Sequence, residues 1–163
     1  MDWQERQQQF TEWAHRYDGV LWKVARSFAS GADQDDLHQE LLLALWKALP
    51  AFRAESSGST FAYRVAYNHA LMWNRKRRVK EVPFEESPQQ VASDGEAAWR
   101  VERLYEQIRT LPEVDRALVL LYLDELSYRE MAEVLGMSES NVGVRLNRVK
   151  KQLAGQMKEI ARA

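Results

Sequence analysis

With 163 residues, 45% apolar and 29% charged, the chain holds material for one mid-sized domain or two small ones and is too apolar to be disordered throughout. It has no cysteine, which excludes disulfides and thiolate metal sites and suits a reducing cytosol; no apolar run reaches spanning length, and Asp2, Glu5, Glu12 and Asp18 argue against a signal peptide. The formal net charge of −1 averages over strong segregation: −3 for residues 1–62, +5 for 63–82, −8 for 83–142 and +5 for 143–163.

In chain order, apolar residues recur at spacings of three and four and never alternate, so an all-α protein is expected. The first stripe runs through Phe10, Trp13, Tyr17, Val20, Leu21 and Val24, the second through Leu37, Leu41, Leu45, Leu49 and Phe52. The second opens on the acidic stretch DQDDLHQE, where Asp33 is expected to cap the helix while Asp35 and Asp36 complement its positive dipole end. Asp36 and Glu40 are i,i+4 neighbours, which admits a divalent cation. No second acidic or histidine motif in the first domain matches that spacing, His15, His38 and His69 are scattered, and no nucleophile elbow is present. Neither a catalytic constellation nor a metal or other cofactor is expected.

A third helix is expected from Ser59-Thr60 through Phe61, Val65 and Met72 to Arg75. Five of the six positions from Arg75 to Lys80 are cationic. Aromatic and polar residues are interleaved with such charges along this helix: Tyr63, Arg64, Tyr67, Asn68, Trp73, Asn74, Arg75, Lys76, Arg77 and Arg78. Cations hold phosphates while aromatic faces stack on unpaired bases, so the mixture suits DNA being opened. The plainer alternative is a solvated basic face beside ordinary core aromatics, among them Phe61 and one of the tyrosines.

The stretch from Glu81 to Ala98 has two prolines, a glycine and no helical stripe before Trp99, which is linker composition. Two small helical domains, 1–82 and 99–163, joined by a flexible linker over 83–98, are therefore expected. Beyond it, Val101, Leu104, Ile108 and Leu111 precede a break at Pro112, and Val114, Leu118, Leu121 and Tyr122 follow. Ser127 and Glu130 then form an S-x-x-E capping box, placing a short helix from Tyr128, with Met131, Ala132 and Leu135 inward. Gly136 can adopt the positive φ of a tight helix exit, and Ser138 can cap the next helix. There Val142, Leu146, Val149 and Leu153 make one narrow stripe; Ser140, Asn141, Val144, Arg148 and Lys151 lie opposite, with Arg145 on the flank. Helix, glycine turn, small residue, cap and basic face together make a helix-turn-helix, whose second helix enters the major groove.

Three segments in this order resemble the bacterial RNA polymerase sigma factors of the extracytoplasmic-function (group IV) class: DQDDLHQELLLALWKAL, FRAESSGSTFAYRVAYNHALMWNRKRR and LPEVDRALVLLYLDELSYREMAEVLGMSESNVGVRLNRVKKQL. The first is similar to the family's clamp-binding segment, the second to its promoter-melting segment and the third to its second DNA-binding domain. The resemblance implies that Asp33, Asp36, Leu37, Gln39, Glu40 and Trp46 face the polymerase clamp. It implies that Tyr63, Arg64, Tyr67, Asn68 and the Trp73–Arg78 tail hold the opened minus-ten element. Ser140, Asn141, Val144, Arg145, Arg148 and Lys151 would then lie in the major groove of the minus-thirty-five element.

The implied partners are core RNA polymerase and promoter DNA, together with the membrane-anchored anti-sigma factor that often holds such proteins inactive, in a cytoplasmic setting. Two departures stand out. Leu42 and Ala44 replace a usual Phe and Lys or Arg in the clamp motif. Asn141-Val142-Gly143-Val144-Arg145 replaces the family's T-V-[K/R]-S-R, so an atypical minus-thirty-five preference is expected. The competing reading is a stand-alone helix-turn-helix regulator, which predicts duplex binding without polymerase. A protein-only adaptor predicts no salt-dependent DNA contact.

Overall fold

The computed structural model describes residues 2–79 and 95–162, which contain helices and no strand, in agreement with the all-α expectation. They form two compact units, Met1–Val82 and Pro83–Ala163. Residues 83–94 of the expected linker lie outside the described residues. Glu96–Ala98, also assigned to it from sequence, instead open a helix. Glu96 suits a helix start: it meets the positive dipole end and receives a 2.8 Å bond from Arg100 one turn on.

The first unit comprises α1 (Trp3–Arg16), α2 (Asp18–Phe28), α3 (Ala32–Ala48), a short 3-10 turn (Leu49–Ala51) and α4 (Gly58–Val79). Asp2 and Glu5 close a reciprocal capping box at the start of α1. The stripe from Phe10 to Val24, continuous in sequence, breaks at Tyr17 (φ −108°, ψ 14°). The break lets α1 lie on α3 while α2 packs against both α3 and α4. On α3, Leu37, Leu41 and Leu45, continued by Leu49, are all but inaccessible. Ala62, Ala66 and Ala70 of α4 are equally buried at the same four-residue spacing. Their small side chains let the leucine-bearing helix approach closely. Two expected caps shift by a few residues. Gly31 precedes α3 and no side chain caps it, Asp33 lying inside the first turn. Ser57, rather than Ser59 or Thr60, receives the first free amide of α4, from Thr60 at 3.1 Å.

The second unit comprises α5 (Glu96–Thr110), α6 (Glu113–Leu123), α7 (Tyr128–Leu135) and α8 (Glu139–Arg162). Ile108 and Leu111 pack with Val119, Val149 and Leu153 into one core cluster, with Leu104 and Tyr105 at its edge. The α7–turn–α8 segment follows the sequence expectation closely. Ser127 Oγ accepts the Glu130 amide at 3.1 Å, Gly136 is left-handed (φ 66°, ψ 38°), and Ser138 Oγ accepts the Asn141 amide at 3.1 Å. Val142, Leu146, Val149 and Leu153 are buried. Inward on α7, however, the buried pair is Met131 and Val134, while Leu135 is only half-buried. Removing the first cap with Ser127→Ala is expected to cost the second unit about 1 kcal/mol, read as a lowered urea midpoint at unchanged slope.

Candidate polymerase and nucleic-acid interfaces

Packing of α3 on α4 brings two separately predicted residue sets to one place. A groove of about 700 Å³ is lined by Asp33, Asp36, Gln39, Glu40 and Leu43 from α3 and by Trp73, Lys76 and Arg77 from α4. One wall is acidic and polar, the other cationic and aromatic. Two bonds join the helices beside it: Arg77 pairs with Asp33, and His69 Nε2 meets Glu40 Oε2 at 3.0 Å. The Arg77 guanidinium also lies 5.0 Å from the centre of the Trp73 ring, a cation–π distance. Asp36, Gln39, Glu40, Arg75, Lys76 and Arg78 are exposed. Asn68 is exposed one face away, and Arg64, Trp73 and Asn74 are half-buried.

Four predicted residues are placed otherwise. Leu37 is fully buried as the first member of the α3 leucine stripe, so it holds the helix in position and has no exposed surface. Tyr63 and Tyr67 are 1% and 7% exposed and flank the alanine stripe of α4; Tyr67 faces Phe28 at 6.2 Å between ring centres. Neither ring is available to stack on a base, whereas the Trp73 ring lines the groove. Trp46 is half-buried and held by α1. Trp3 and Phe10 meet it edge-on at 5.4 and 5.3 Å, Arg6 lies 4.1 Å over its ring, and Arg6 Nη2 donates to the Trp46 carbonyl at 3.0 Å. Leu43, half exposed in the groove, was missed, although it stands off the buried i,i+4 stripe and that offset marks it. His69 was missed as a partner of Glu40 because the two are 29 residues apart.

On α8, Ser140, Asn141, Val144, Arg148 and Lys151 are exposed, as predicted. Arg145 differs: its Nη2 donates to Asp115 Oδ1 of α6 at 3.2 Å, and Asp115 is itself buried. Among the described residues no group of three or more His, Cys, Asp and Glu side chains is arranged to hold a metal ion. None of the described helices is long and apolar enough to cross a membrane.

Residues 4–79 match the model of Sigma-70 region 2, and residues 101–153 match Sigma-70 region 4. The RNA polymerase sigma factor YlaC of Bacillus subtilis is 30% identical over 131 residues, spanning 75% of this chain and 76% of YlaC. The ECF RNA polymerase sigma-E factor of Escherichia coli K12 is 26% identical over 163 residues, covering 90% of this chain and 85% of that protein. The fold is similar to that of RpoE in its complex with the anti-sigma factor NepR from Bartonella quintana, with a TM-score of 0.68 at 20% identity over 92% of this chain and 97% of that one. The chain belongs to the RNA polymerase sigma factors of the extracytoplasmic-function class, the factors that direct promoter-specific initiation of transcription.

Proposed function

We propose that the first unit, residues 1–82, docks on core polymerase through the exposed polar wall of α3 and opens the minus-ten element with the basic end of α4, while α8 of the second unit, residues 99–163, reads the minus-thirty-five element. The stretch before α5, which opens at Glu96, then tethers the two. The observation that carries this division is the single α3–α4 groove, where the acidic residues Asp33, Asp36 and Glu40 face Trp73, Lys76 and Arg77. A basic protein surface and a nucleic acid are thereby held side by side. Docking falls to Asp33, Asp36, Gln39 and Glu40, with Leu37 and Trp46 supporting the wall from beneath and from the α1 side. The minus-ten contacts are Arg64, Asn68, Trp73, Asn74, Arg75, Lys76, Arg77 and Arg78, with Tyr63 and Tyr67 fixing the helix from within. The minus-thirty-five contacts are Ser140, Asn141, Val144, Arg148 and Lys151, with Arg145 at the flank.

On this reading the chain is a binding factor, works in the cytoplasm and performs no chemistry of its own. The exposed α3 wall is also the surface an anti-sigma factor would occupy to block polymerase, a partner suggested by the RpoE–NepR complex. Nothing in the relatives favours a stand-alone regulator. The docking assignment is tested by capture of core polymerase. Asp36→Lys with Glu40→Lys places two cations opposite a basic surface and is expected to weaken capture at least tenfold without changing the helical circular dichroism. Capture at wild-type strength overturns the assignment of α3.

A further inference from the structure

We infer that Val144 reads a thymine methyl group at one position of the minus-thirty-five element, making this factor's recognition depend there on an apolar contact in place of a hydrogen bond. The inference rests on α8 lying in the major groove as proposed above. Val144 is 71% exposed and is surrounded on its own helix face by polar side chains, Ser140 and Asn141 one turn before and Arg148 one turn after. An apolar side chain in the middle of a polar recognition face has one matching feature in the major groove, the C5 methyl of thymine.

The positions on either side of Val144 reinforce this. A Cβ added at Gly143 would come within 3.3 Å of Cε2 of the Tyr128 ring, so a side chain there requires the ring to give by a few tenths of an ångström. Gly143 therefore lets the α7 ring pack on the α8 backbone, and the position carries no group toward a base. Arg145 follows, and its Nη2 is drawn aside to the buried carboxylate of Asp115, 3.2 Å away. Of these three consecutive positions, one presents an apolar side chain, one presents no side chain, and the third is an arginine tied to α6. Guanine, which is read by a bidentate cation at its O6 and N7, has no matching group at this point, whereas Arg148 and Asn141 retain polar reading at neighbouring base pairs.

The test uses the holoenzyme, core polymerase with the full chain, on promoters randomised across the minus-thirty-five element and selected by initiation. A thymine is expected to be enriched at one position. Replacing it by uracil, which differs only by the methyl, should lower initiation about fourfold, the value of one buried methyl-sized group. Val144→Ser, at an exposed site and with similar helix propensity, should abolish the preference for thymine over uracil and leave the other selected positions unchanged. Selection of an element with no methyl-sensitive position, or a Val144→Ser factor that still distinguishes thymine from uracil, overturns the inference while leaving α8 in the groove. Initiation with no selection anywhere in the element removes both.

Discussion

Arg75→Ala, Lys76→Ala and Arg78→Ala together are expected to reduce binding of opened promoter DNA by the holoenzyme roughly a hundredfold at about 0.1 M salt. Each cation that meets a phosphate of a single strand contributes about 0.7 to the slope of log affinity against log salt, so three contribute about two. Referred to 1 M salt, that slope is on the order of a hundredfold at 0.1 M. All three side chains are exposed on the last turns of α4, and alanine favours helix there, so the fold should be retained. Arg77 is left in place because it pairs with Asp33 and its removal would disturb α3 as well. A salt titration of holoenzyme on a fork-junction promoter reads the change directly. A slope lower by about two supports phosphate contact, and an unchanged slope assigns these cations to solvent.

Leu41→Ala is expected to destabilise the first unit by about 2–5 kcal/mol, the range for truncating a buried leucine where the cavity only partly collapses. Leu41 is fully buried midway along the α3 stripe, on a helix packed against both α2 and α4. A unit of 82 residues has a total stability of roughly 4–12 kcal/mol at about 0.05–0.15 kcal/mol per residue. The substitution therefore removes a large share of it. The same packing holds α3 and α4 in register across the groove, so polymerase capture and promoter opening should fall together, unlike the surface variants, which separate them. Chemical denaturation followed by tryptophan fluorescence suits the check, because Trp13 lies buried in the same unit.

What could be read from sequence was what depends on spacing along one helix. The α3 leucines and the Val142–Leu153 stripe were legible because each is a four- or three-residue repeat, and the caps at Ser127 and Ser138 because their partners stand three residues away. What was hidden depends on residues distant in sequence. Tyr63 and Tyr67 sit at a helical spacing that fits a core as well as a stacking surface, and only the position of α2, which brings Phe28 to Tyr67, decides for the core. Trp46 is covered by a helix some 40 residues earlier, through Arg6. Arg145 is engaged by an aspartate 30 residues before it. The groove itself was not legible as one site, because its acidic and basic walls lie on different helices and were read as two surfaces. Gly143 was legible from sequence only as a departure from the family's recognition helix, and the Tyr128 ring beside it gives it a packing reason.

The most direct test of the central claim is run-off transcription from a library of genomic fragments, with core polymerase alone and with this chain added. Discrete new start sites are expected only when both are present, and they should vanish when Arg75, Lys76 and Arg78 are replaced by alanine. No new start sites, together with sequence-specific binding of duplex DNA by the chain alone, would contradict a polymerase-dependent factor whose first unit opens the promoter.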